Sequence, residues 1–245
     1  CIFAMRFLFG KKVPVKITFG QYDTKIMNRI LSLGFSPFLI LATDSLILIL
    51  LNTILQKYGG KSQGDMFITC ATIAQSYLLL ITSSMIGISG GTQAILSYNY
   101  GARRADRVKD AERNILGVML IFTTIMFLLS RLVPRYFVLL FTSDPQYISF
   151  SVWAIHTYTL MIIPLSFQYV FVDGLTALDR PKTGLALSVT RKSLFVLSAA
   201  ILPVFFDAKA AFFAEPVADG VCSVLSTVVF LLLINRHLQK RCQTV

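Results

Sequence analysis

Six apolar runs, each long enough to cross a lipid bilayer, follow one another along this chain, over residues 27–56, 66–98, 113–141, 147–177, 184–206 and 212–235. A spanning helix needs roughly 20 apolar residues, and longer runs belong to helices that tilt or extend past the hydrocarbon. Polar punctuation separates them at 57–65, 99–112, 142–146, 178–183 and 207–211. Lipid offers no partner to a backbone amide, so helix is the economical structure. A barrel would alternate apolar and polar residues in segments of about ten, and no such alternation occurs. Only 14% of the residues are charged, against about 25% in soluble domains. The expected fold class is an all-α membrane protein with six transmembrane helices and the lipid bilayer as its surroundings; a soluble globular domain is excluded.

The basic residues test this placement. A net charge of +11 can signal nucleic acid, but that reading needs a basic face on a soluble fold, and here the charges sit between apolar runs. No nucleic-acid partner is expected. Counted as Lys and Arg alone, eighteen fall on one side of the membrane. They are Arg6, Lys11, Lys12, Lys16, Lys25 and Arg29; then Arg103, Arg104, Arg107, Lys109 and Arg113; then Arg180, Lys182, Arg191 and Lys192; and finally Arg236, Lys240 and Arg241. Five, namely Lys57, Lys61, Arg131, Arg135 and Lys209, fall on the other. Both termini are therefore expected in the cytoplasm, with the chain in the plasma membrane. Aromatic residues agree: Tyr136, Phe137, Tyr147, Phe150 and Trp153 mark the outer interface, and Tyr98 and Tyr100 the inner one.

Four scattered cysteines, Cys1, Cys70, Cys222 and Cys242, contain no CxxC and imply neither a disulfide framework nor a metal site. No GxSxG, HExxH or nucleotide loop is present, so no enzyme and no cofactor are expected. The segment from Cys1 to Gly10 is apolar, too short to span, and has no signal-peptide cleavage site; it reads as the tail of an earlier helix.

The second run closes on Gly87-Ile-Ser-Gly-Gly-Thr-Gln-Ala-Ile-Leu-Ser-Tyr-Asn-Tyr-Gly101-Ala-Arg-Arg, followed by Ala105-Asp-Arg-Val-Lys109. Leu33-Gly-Phe-Ser-Pro-Phe lies in the first run, and Ala214-Glu-Pro-Val-Ala-Asp219 opens the last. In order and spacing these stretches resemble the C-terminal lobe of the MATE (multidrug and toxic compound extrusion) transporters, from about Gly20 to Arg236. The resemblance implies one lobe of a twelve-helix, two-lobe pseudo-symmetric transporter, with substrate bound between the lobes. Residues 1–19 would then be the end of a preceding helix and a basic cytoplasmic linker, 20–236 the C-terminal lobe, and 237–245 a cytoplasmic tail. An N-terminal lobe of the same transporter would be the partner, and small organic compounds the substrates.

The glycines have readings of their own. Gly87 and Gly91 are four apart, the small-xxx-small spacing that lets helices approach, so Gly87, Gly90 and Gly91 are expected to face packed helices, with Gly91→Leu overpacking the fold. Gly101 suits a left-handed residue at a helix C-terminus. The segment from Arg103 to Arg113, with Asp106, Asp110 and Glu112, reads as a solvated cytoplasmic elbow.

Ionisable groups at membrane depth are costly and call for a role. Asp44 lies near the middle of the first run with no basic residue within a helical turn, and can trade a proton or a sodium ion for its burial. The resemblance implies the same: in the NorM-like branch a cation-binding acid occupies this position. A second acid of that branch aligns with Ser166 here, a departure that speaks against the full sodium site. Gln75, near Asp44 in depth, and Gln93, lower, suit either a cavity lining or interhelical hydrogen bonds. His156 suits a proton relay or a structural hydrogen bond. Asp173 lies near the inner end of the fourth run. Arg191 matches a basic residue of the family's eleventh helix, and Lys192 beside it suits snorkelling. Glu215 and Asp219, flanking Pro216, suit helix N-terminal charge around a proline-shaped entry.

Taken with these residues, the resemblance implies half of an H⁺- or Na⁺-coupled multidrug efflux antiporter exporting organic, mainly cationic, compounds. The alternative is a lipid-linked saccharide or polysaccharide flippase. A flippase cavity calls for several basic residues, and Arg191 and Lys192 are the only candidates.

Overall fold

The computed structural model describes the backbone of residues 23–243. Residues 1–22, which include the segment from Cys1 to Gly10, lie outside the described residues, as do the side chains of Asp44, Lys61 and everything from residue 235 onward. Two compact units divide the chain, Cys1–Ile47 and Leu48–Val245. The described part of the first is a single helix, begun by Asp23, whose Oδ1 accepts the Lys25 N–H at 2.8 Å.

Helical residues run through Thr24–Gly101, broken at Gly60, whose φ of 64° and ψ of −170° are non-helical. This gives α1 (24–59) and α2 (61–101). Then come α3 (Ala105–Leu132), the short α4 (Pro134–Val138), α5 (Pro145–Tyr158), α6 (Ile162–Ala177), α7 (Pro181–Phe205), a 3₁₀ turn (Ala208–Phe213) and α8 (Ala214–Gln243). Among the described residues, Gln63–Gly101, Ala105–Leu132, Pro181–Phe205 and Ala208–Ile234 are each long and apolar enough to cross a membrane; α5 and α6 together make a further, bent span.

The Gly60 corner depends on its neighbours. A Cβ on Gly59 would lie 2.8 Å from the Gly64 Cα and 2.9 Å from Phe67, closer than any real packing allows. Gly59→Val is therefore expected to lower stability by about 2 kcal/mol, read as a lowered thermal unfolding midpoint in detergent, with Gly91→Ala near neutral as the control. That control rests on space: among the described residues, a Cβ on Gly87, Gly90 or Gly91 meets nothing within 4 Å. One expectation is corrected here: Gly101 is not the left-handed residue. That is Arg103 (φ 58°), with Arg103 N–H bonded to the Tyr100 carbonyl and Arg104 N–H to Asn99, a Schellman ending displaced two residues past the glycine. Asp179 (φ 63°) closes α6 in the same way.

Prolines explain where the apolar runs and the helices part company. The run over 113–141 is split at Pro134, which disfavours helical backbone in Val133 (φ −131°, ψ 24°). The run over 147–177 bends by 47° at residues 159–161, because Pro164 has no N–H to return to the carbonyl of Leu160. At this bend Thr159 Oγ1 donates to Ser130 Oγ on α3 at 3.0 Å, both groups fully buried. α6 is the central helix and packs against α3, α7 and α8, with Phe171 stacked on Phe230 of α8 at 4.3 Å between centroids. One end of the bundle is filled by Phe67, Phe150, Trp153, Tyr158 and Phe212.

Candidate functional site

Glu215 and Asp219 are four residues apart on α8 and so share a face. That face meets α7 at Arg191, whose Nη1 donates to Asp219 Oδ1 at 2.7 Å and to Glu215 Oε1 at 3.2 Å. The side chains are 22%, 15% and 0% exposed for Arg191, Glu215 and Asp219. Pro216 stands in the first turn, where its missing N–H costs nothing. Asp219 thus does more than decorate a helix start: one oxygen holds Arg191, and the other, Oδ2, is buried with no partner among the described residues.

Two tyrosines extend the cluster. Tyr169 of α6 interacts electrostatically with Arg191, Asp219 and Glu215. Tyr158, fully buried at the end of α5, interacts with Glu215 and is hydrogen-bonded to Gln75 of α2. Four helices besides α8 therefore converge on two carboxylates and one guanidinium. With all three ionised, the charge is one negative in excess, held where solvent is scarce.

Of the residues singled out in the sequence, Gln75 and Arg191 meet here, together with Pro216 and Asp219. Gln93 does not: its side chain hydrogen-bonds Asp173, which also accepts from Ser89. His156 lies apart, bonded to the Ser130 backbone, with Nε2 buried and unpartnered. The side chain of Asp44 lies outside the described residues. Ser166 is buried and donates to the Ile163 carbonyl at 2.5 Å. Glu112 is a correction: far from sitting in a solvated elbow, it is 5% exposed, because α3 begins at Ala105 and turns Glu112 inward beside Gly174. Its signal was in the sequence, on the stripe Val108, Glu112, Ile115, Met119 and Thr123 that α3 buries. Tyr158 and Tyr169 had no comparable signal. An open recess of about 840 Å³ beside Gln63, Gln146, Trp153 and Lys209 contains none of the ion cluster.

The MatE family model matches residues 41–202. A FAD transporter of Shewanella oneidensis is 26% identical over 136 residues, which cover 56% of this chain and 29% of that protein. Among solved structures, the inward-facing form of a multidrug resistance MATE family transporter of the MOP superfamily superposes with a TM-score of 0.82 at 17% identity. The match covers 100% of this chain and 56% of that one. A MATE transporter in complex with MaL6 gives 0.79 at 17% identity, over 98% and 54%. A MOP superfamily transporter from Pyrococcus furiosus gives 0.77 at 18%, over 96% and 53%. The match covers about half the length of these structures and under a third of the Shewanella protein. With two thirds of its residues matched by the family model and the fold of half such a transporter, this chain belongs to the MatE family of membrane transporters.

Proposed function

We propose that this chain forms part of a cation-coupled exporter of organic, mainly cationic, compounds, with Asp44 carrying the coupling H⁺ or Na⁺. The observation that supports the cargo is the charge count at Arg191. Its guanidinium is already engaged by Asp219 and Glu215, so the cluster presents excess negative charge and no vacant cation for a phosphate. That count disfavours a flippase for lipid-linked saccharides, whose anionic headgroups need unpaired basic residues. Support for coupling comes from position: Asp44 is a carboxylate in the middle of an apolar helix, where an ionised group costs about 2.5–3.5 kcal/mol on insertion scales. The 18-to-5 division of Lys and Arg supports a topology with Arg104 on the cytoplasmic side of the plasma membrane and Lys61 opposite. Cysteines at those two positions should therefore be labelled from different sides.

The test uses the full-length transporter in proteoliposomes with an imposed proton or sodium gradient. Asp44→Asn keeps the side chain's size and removes its titration; efflux of a cationic dye is expected to fall at least roughly tenfold. Wild-type rates from that variant reject the role of Asp44. The relative's cargo supplies a second arm: transport of a flavin dinucleotide in place of the dye would overturn the cationic-cargo reading.

A further inference from the structure

Near the turn joining α2 to α3, oxygen-bearing side chains from three helices converge. Asp173 of α6 accepts a hydrogen bond from Ser89 Oγ and is bonded to the Gln93 amide, both on α2. Glu112 of α3 is close enough for the two carboxylates to repel each other. It reaches that position because residue 174 is glycine; a Cβ there would run into Glu112 Oε1. Glu112 is 95% buried by residue area, at 5% exposure, and its Oε1 has no hydrogen-bond partner among the described residues. Neither acid is paired with a base: among the described residues, both ion pairs belong to Arg191.

Two carboxylates cannot share a buried place with both charges uncompensated. A proton on either carboxyl is one remedy, and a bound cation that both carboxylates face is the other. Two carboxylates, a hydroxyl and an amide are the hard oxygen donors that alkali and alkaline-earth ions take. Cysteine and histidine donors, which soft metals prefer, are not among these four side chains. We propose that Glu112, Asp173, Ser89 and Gln93 form a binding site for a hard metal cation of the Na⁺ or Ca²⁺ class, tying α3 to α2 and α6. This is a site of its own, independent of the role given to Asp44.

Binding is measured without any gradient, on purified full-length transporter stripped of metal and held in choline chloride at constant ionic strength. Titration with Na⁺ or Ca²⁺ is expected to raise the unfolding midpoint saturably. Glu112→Gln and Asp173→Asn, which keep size and hydrogen bonding, should each weaken the response roughly tenfold or more. Gly174→Ala should do the same by pushing the Glu112 carboxylate aside. Asp44→Asn should leave the response intact, which separates failure of this site from failure of the coupling reading. Stabilisation no greater than by choline, or a response unchanged in Glu112→Gln and Gly174→Ala, overturns the proposal. So does a site that answers only to pH.

Discussion

Arg191→Met is expected to cost about 3–5 kcal/mol of stability, the penalty for breaking a buried ion pair by removing one partner. The methionine matches the arginine's apolar stem, so packing changes little. What changes is charge: Asp219, with no exposure, and Glu215, at 15%, are left as two carboxylates facing each other across one helical turn. Thermal unfolding of the full-length protein in detergent, or its recovery as a monodisperse peak, is the measurement. A compensated variant carrying Arg191→Met, Glu215→Gln and Asp219→Asn together should recover most of the loss, since it removes the charges along with the base. An Arg191→Met protein as stable as wild type would show that the cluster is not held by its ion pairs.

The second large effect is expected from Phe212→Ala, at about 3 kcal/mol or more. Phe212 is 1% exposed, and its ring lies 5.3 Å from Phe150, 5.5 Å from Trp153, 5.9 Å from Tyr158 and 6.4 Å from Phe67. It comes from the 3₁₀ turn between α7 and α8, so one side chain joins that turn to α2 and α5. Truncation leaves an aromatic-sized void whose walls, on several elements, cannot close together. Phe213→Ala next to it, at 41% exposure, should cost less than about 1 kcal/mol. Equal effects of the two substitutions in the same unfolding assay would refute the argument.

The apolar runs were legible because the bilayer imposes a length and a polarity that no soluble core demands, and α7 and α8 begin within a few residues of where the runs do. The breaks were less so. Pro134 and Pro164 stand in plain view, but the same residue can be absorbed, as Pro203 is inside α7, and only the packing decides. The site was half legible. Arg191 and Asp219 were noticeable as charges in apolar surroundings. Their partnership depends on the rotation of α7 against α8, which spacing within either helix does not specify. Glu112 misled because charges on both sides of it, Lys109, Asp110 and Arg113, are exposed, and the helical stripe that buries it carries only one residue per turn.

The 47° bend between α5 and α6 has a mechanical consequence. An unbroken helix is a stiff beam, and a push at one end is delivered at the other. Where the hydrogen-bond ladder lapses that beam is interrupted, and α5 and α6 are two shorter rods that meet at an angle. α5 ends in Tyr158, beside Glu215; α6 carries Asp173 and Gly174, beside Glu112. The ion pairs themselves meet both rods, through Tyr158 at the end of α5 and Tyr169 on α6, so the carboxylates of α8 lie astride the bend.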